Sequence, residues 1–440
     1  MKHYFQTLAN QLFDQLEQGE VLALSFYGET STFVRFNRSA IRQASRINDF
    51  SLSLQLYANG RTCLHAFTLT LGEAIDELKA IQVLHRLREQ TAVLPEDPYA
   101  KPPAAPMATS TALEGELPAP EQALDLLFSS FPEESLVGLW AAGQIYRGNA
   151  TSVGAFHWFQ TDSFTLDATQ VVTGERMGKL TFAGRRWDSE ALKRYLEQQA
   201  RYFEILKQPA RKLVPGSYRA YIAPPGVQDL VAMLNWYGLS EASFRQGESA
   251  LLAMRREGKT LSEKFNLWQD FLRVPVPIFN ERGEAAPDRL PLIVKGRLEN
   301  TLISERTAAE HGLQTNYADL DETIRAPYLE GGSLDEAQVL TALGTGLYLS
   351  NLHYLNWSDR PGARVTGMTR YACLWVENGE PVAPIENLRF DDTLYHLFGD
   401  NLEDLTKQTA ELPETSTYQG RQPGGMVVPG MLVKAMQFTL

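Results

Sequence analysis

The chain has 440 residues, 44% of them hydrophobic and 21% charged, with a formal net charge of −12. That length is too great for one compact core and predicts two or three domains, while the composition argues against wholesale disorder. A duplex-binding surface needs clustered positive charge, so an acidic chain whose longest basic clusters are the pairs Arg185-Arg186 and Arg255-Arg256 argues against nucleic acid as a partner.

The first residues predict an amphipathic helix. Phe5, Leu8, Leu12 and Leu16 recur at spacings of three and four, Phe13 widens the stripe, and Gly19 is placed to end it. Val21–Tyr27 and Thr32–Phe36 read as two strands. Phe50–Ala58 alternates, with Leu52, Leu54 and Leu56 on one face, and Asn59-Gly60 predicts a two-residue hairpin turn into Arg61–Thr68. A second helix is expected to present Leu71, Ile75, Leu78 and Ile81.

Residues 94–122 are rich in Pro and Ala and poor in large apolar side chains, which predicts an extended or mobile insertion. A short helix follows, then strands at Leu136–Arg147, Ala155–Gln160 and Ser163–Leu166. Asp188 or Ser189 is expected to cap a helix through Leu192, Tyr195, Leu196, Ala200, Phe203 and Leu206.

Beyond a boundary near residue 212, Tyr218–Ala223 reads as a strand. Pro224-Pro225-Gly226 then opens a helix bearing Val227, Leu230, Val231 and Leu234. Further strands are predicted at Val274–Phe279, Leu292–Lys295, Gly346–Ser350 and Met368–Glu377, with Asn378-Gly379 as another hairpin turn and Gly425–Leu440 as a terminal strand. These elements define an α+β protein. Residues 1–212 form an N-terminal helix and antiparallel-meander domain, and residues 213–440 a domain dominated by antiparallel strands.

The N-terminus lacks the apolar core of a signal peptide, and no apolar run approaches the ~20 residues of a spanning helix. The expected setting is the cytoplasm, away from a membrane.

Local catalytic motifs are absent. The sequence contains no P-loop, no GxSxG nucleophile elbow and no HExxH. Its seven histidines are isolated, and Cys63 and Cys373, more than three hundred positions apart, each read as a small buried hydrophobe on a strand. The one set that could converge on a metal is His353, Asp359, Cys373 and His396, for which a satisfied histidine and a turn aspartate are the simpler account. Gly344-Thr345-Gly346 resembles a phosphate cradle only in passing; a turn explains it better. Ser350 and His353 point to opposite faces if both lie on one strand.

Four stretches in order resemble the TldD/PmbA metalloprotease family: the N-terminal meander, Gly296–Asn316, the hairpin and helix of Gly367–Leu405, and the closing VPGMLVKAMQFTL. In one branch of that family a helix carries HExxxH, with two imidazoles on zinc, a glutamate general base and a C-terminal cysteine as third ligand. Aligned to Pro224–Ser243, the first His, the Glu and the second His fall on Ala232, Met233 and Tyr237, and the stretch before the last strand has no cysteine.

The resemblance therefore implies the PmbA/TldE-like branch, whose members pair with an HExxxH-bearing TldD-like subunit. On that reading this chain carries no catalytic residue and no metal of its own. Zinc belongs to the partner, and the heterodimer encloses a tunnel for unfolded or extended peptides. Asn351, His353 and Asp359 are the candidate groove residues. The alternatives are a stand-alone homodimeric peptide- or ligand-binding protein, and an enzyme built on His353, Asp359 and His396.

Overall fold

A computed structural model describes residues 1–131 and 134–439. Among these residues the strands form two sheets, and the fold is α+β. The N-terminal sheet contains β1 (Val21–Asn37), β2 (Ala40–Ala58), β3 (Arg61–Thr68), β4 (Ala108–Leu113), β5 (Leu136–Thr151), β6 (Phe156–Thr173) and β7 (Arg176–Gly184). Its order is β3-β2-β1-β5-β6-β4, with β7 also on β6.

Helices α1 (Lys2–Phe13) and α2 (Glu73–Val93) cover one region of this sheet, and α3 (Pro120–Ser130) and α4 (Ser189–Leu206) another. Phe5 shows why α1 docks: its ring lies 5.4 Å from Phe26, and Gly148 on β5 leaves the space it fills. Asn59 and Gly60 both have positive φ, as the tight β2–β3 turn requires. Asp188 caps α4 by accepting from the Ala191 amide at 2.9 Å.

The sheet departs from the sequence-based expectation in three places. Strand β1 runs unbroken through Gly28–Ser31, where polarity suggests a break. It pairs along its length with both β2 and β5, and its buried Glu29 and Ser31 bond to Arg421 of the other half of the chain. In α2, Ile75 and Leu78 are exposed, and the core face is Asp76, Ala80, Val83, Leu84, Leu87 and Thr91. Asp76 turns the helix by accepting from Tyr4 Oη (2.6 Å), Thr70 N (2.9 Å) and Thr70 Oγ1 (3.0 Å). The third departure is β4, a paired strand inside the Pro/Ala-rich segment expected to be an extended or mobile loop. It adds to the edge of β6 in parallel, and Thr109 Oγ1 meets His157 Nδ1 at 2.8 Å.

The second sheet contains β8 (Gly216–Ile222), β9 (Leu267–Asp270), β10 (Arg289–Val294), β11 (Arg297–Leu298), β12 (Pro327–Leu329), β13 (Gly346–Leu349), β14 (Asn351–Asp359), β15 (Arg364–Arg370), β16 (Leu374–Glu377), β17 (Glu380–Pro384), β18 (Arg389–Thr393), β19 (Leu402–Pro413) and β20 (Gly425–Phe438). Strand β20 is its spine, pairing with β8, β12, β18 and β19. The predicted terminal strand thus takes a central place, and Leu440 lies outside the described residues.

Val274–Phe279 is not a strand; alternating Pro275 and Pro277 remove the amides a ladder needs. Met368–Glu377 divides into β15 and β16 at Tyr371, where φ is 66°. Cys373 sits buried just before β16, while Cys63 lies half-buried on β3. Among the described residues no helix is long and apolar enough to cross a membrane.

Candidate functional site

The strand β8 leads through Ala223 into α5 (Pro224–Ala232). Two prolines occupy the first helical positions, where missing amides cost nothing, and Val227, Leu230 and Val231 pack inward. The helix is shorter than the sequence predicts. A 3-10 turn at Met233–Asn235 follows, then Tyr237 with φ 64°, and a Cβ on Gly238 would stand 2.6 Å from the Leu234 carbonyl. The backbone leaves the helical path at Trp236, so Tyr237 is not one turn along a helix from Met233. Ala232 is exposed, Met233 is buried, and the Tyr237 ring packs under the Arg360 guanidinium at 4.2 Å.

An alanine methyl, a buried thioether and a phenol stacked on arginine do not make a zinc site with a general base, so these positions do not fit the zinc that the resemblance implied for this helix. Among the described residues no group of three or more His, Cys, Asp or Glu is placed to hold a metal ion.

Strand β14 packs on α5 and hydrogen-bonds to β15 alone among the described strands. Asn351 and His353 lie at one end of it and Asp359 at the other, beyond a bulge between His353 and Asn356. At ~3.3 Å per residue these groove candidates span the strand and do not converge. The His353 ring packs on Tyr354 at 4.2 Å, and burial, followed by the nearby Arg370, lowers its pKa.

His396 bonds Asp392 at 2.9 Å, and Cys373 Sγ lies 3.1 Å from the Arg370 carbonyl; among the described residues His353, Asp359, Cys373 and His396 do not form a group placed to hold a metal ion. Gly344 ends a short helix (Val339–Leu343) and its carbonyl accepts the Gly379 amide, while Gly346 is the first residue of β13.

Two features of this face were not read from the sequence. Trp236, Tyr237 and Tyr354 are exposed to 53%, 49% and 79%, the first two in the turn after α5 and the third on β14. Trp357 Nε1 donates to the Trp236 carbonyl at 3.2 Å and ties strand to turn. Asp229, half-buried on α5, accepts the Leu352 amide, and burial raises its pKa to about 7.

A second locus lies between the two halves of the chain. The segment preceding β20 inserts Arg421 against the N-terminal sheet, where Nη2 bonds Ser163 Oγ at 2.6 Å and Nη1 bonds Ser31 Oγ at 3.1 Å. Gln422 Oε1 accepts from Arg147 Nη2 at 2.7 Å. His157 Nε2 meets the Gly283 carbonyl at 3.1 Å while its ring stacks on Phe279. Next to these contacts is a cavity of about 350 Å³, lined among others by Tyr27, Arg147, Phe279, Glu281, Asp319 and Arg325. It joins residues far apart in sequence, so no local motif marks it.

The topology, a meander-plus-helix half joined to a large sheet around α5, is that of a metallopeptidase-family fold. A family model, the PmbA/TldA metallopeptidase C-terminal domain, matches residues 215–440, and the chain belongs to that family. No curated protein sequence matches it. Three solved structures share the fold. A candidate modulator of DNA gyrase from Thermotoga maritima is 14% identical, with 99% of this chain and 100% of that one covered and a TM-score of 0.76. TldE from Thermococcus kodakarensis is 12% identical, with the same coverage and TM-score. A candidate modulator of DNA gyrase from Bacteroides thetaiotaomicron is 16% identical over 100% of this chain and 98% of that one, with a TM-score of 0.74.

Proposed function

We propose that this chain is the non-catalytic subunit of a heterodimeric zinc metallopeptidase of the cytoplasm. An HExxxH-bearing partner holds the zinc, and this chain lines a tunnel that accepts extended peptides. The reading is supported by family membership together with the presence of Ala232, Met233 and Tyr237, none of them a zinc-ligating pair or a carboxylate base, at the positions that the sequence resemblance aligns with the zinc helix. Likeness to a structure named TldE supports the same branch. The open edge of β14, a strand that carries Tyr354 and is tied to the Trp236 turn, supports recognition of an extended peptide through main-chain hydrogen bonds with aromatic anchoring.

Hydrolysis of an unstructured peptide by the HExxxH chain alone, by this chain alone and by the two together tests the proposal. The pair should be active, this chain inactive, and the partner alone much weaker than the pair. If the complex forms but the partner is equally active without it, the proposal fails. The cavity between the halves favours one second reading, a stand-alone homodimeric ligand-binding protein.

A further inference from the structure

The cavity between the halves has an unusual charge pattern. Arg147, Glu281, Asp319 and Arg325 all line it, two cationic and two carboxylic, and none of them forms an ion pair within 4.0 Å. Arg147 is 9% exposed and spends its donors on neutral acceptors: the Tyr146 and Arg421 carbonyls and Gln422 Oε1. Arg325 donates to the Phe279 and Tyr317 carbonyls, and its Nε is buried without an acceptor.

On the acidic side, the Glu281 carboxylate accepts only the Leu320 amide from another residue, and the Asp319 carboxylate accepts the amide and hydroxyl of Thr323. Burial raises both carboxyl pKa values and lowers those of both guanidiniums. Arg325 offsets the two half-buried carboxylates only in part, and buried Arg147 has no carboxylate partner among the lining residues, so the cost of this arrangement falls if something in the space carries both charges.

Apolar surface completes the lining. Phe26, Tyr27, Val276, Pro277 and Phe279 face the same space, with the Arg147 guanidinium 5.2 Å from the centre of the Tyr27 ring. Asn149, 1% exposed, is also in the lining; its Nδ2 donates to the Glu281 carbonyl at 2.7 Å and its Oδ1 has no partner. A volume of about 350 Å³, open to solvent, suits a solute of amino-acid to dipeptide size.

We infer that this cavity is a binding site for a small zwitterion of the α-amino acid class, free or as a dipeptide. Arg147 faces the carboxylate, Glu281 and Asp319 face the ammonium, and the aromatic wall takes an apolar side chain. The inference rests on residues of this chain alone and does not depend on a partner subunit.

Isothermal titration of the full-length chain with phenylalanine, leucine and the dipeptide Leu-Phe tests it. N-acetyl and C-amide forms of each remove one charge at a time. Saturable binding is expected for at least one zwitterion, with each blocked form about tenfold or more weaker. Arg147→Met should weaken the zwitterion and the N-acetyl form, which keep the carboxylate, and Arg147→Lys should restore part of the loss. Free amino acid and dipeptide binding differently identifies which source fits. Absence of saturable binding by any zwitterion at ~10 mM, where even millimolar affinity would register, overturns the inference. So does equal binding of the blocked forms, a result that needs no folded variant.

Discussion

Substituting Asp229 by Asn isolates the electrostatic character of the α5–β14 face. Burial raises this carboxyl from 3.8 to about 7 in the folded chain. Below pH 3.8 the group is protonated in both states and the shift costs nothing. As pH rises through the window from 3.8 to 7 the unfolded state ionises first, and above 7 the folded protein bears the full cost. At ~1.4 kcal/mol per pH unit the window corresponds to about 4 kcal/mol as an upper bound. Solvent reaches part of the side chain, so we discount this to about 1–2 kcal/mol.

Asparagine keeps an oxygen to accept the Leu352 amide and removes the charge. Urea denaturation of Asp229→Asn and the parent should therefore agree at pH 4 and diverge by about 1–2 kcal/mol at pH 8, the variant being the more stable. Equal stabilities at both pH values, or a variant less stable at pH 8, would refute the reasoning. The second outcome would mean that the ionised Asp229 is held by a cation of this face.

Asp76→Ala leaves Tyr4 Oη and the Thr70 amide without their shared acceptor and should cost about 2–4 kcal/mol in chemical denaturation. Hydrogen bonds outweigh burial and hold Asp76 below its ordinary value, so its contribution should be present above pH 3.8 and fade as acid titrates the folded group. Glu241 is buried against Arg245 and Arg255, with Thr301 Oγ1 at 2.7 Å; burial opposes ionisation, but these partners bring its pKa down to about 2. Glu241→Ala should lower stability by about 2–3 kcal/mol at pH 7, allowing for the exposure of both arginines, and by much less at pH 2. Gly178→Ala places a methyl 1.9 Å from the Phe203 ring and should cost about 1–3 kcal/mol by thermal denaturation; no loss would show that α4 moves freely on β7.

Much of the fold was legible because periodicity and turn chemistry agree over local stretches. The β2–β3 hairpin, α4 with its Asp188 cap, and the strand and proline turn that begin α5 all follow from residues near one another. The losses share a cause: a distant contact overrides local polarity. Glu29 and Ser31 look like a strand break until Arg421 meets them, and Ile75 and Leu78 look like a core stripe until Tyr4 and Thr70 draw Asp76 inward. The Pro/Ala-rich segment supplies β4 because the edge of β6 offers main-chain partners that composition does not record.

For the site, the resemblance implied that Ala232, Met233 and Tyr237 stand where a zinc helix would have its ligands and base. It could not show that α5 ends before Tyr237, that the candidates Asn351, His353 and Asp359 spread along an edge strand, or that four charges from both halves meet in one cavity.

The central claim is that this chain works as the metal-free half of a pair. A tagged pull-down from the native host, with mass spectrometry of what co-elutes in near-equal amount, tests it most directly. The account predicts one stoichiometric companion carrying HExxxH and zinc. Elution of the chain only with itself, from cells that express such a companion, would contradict it.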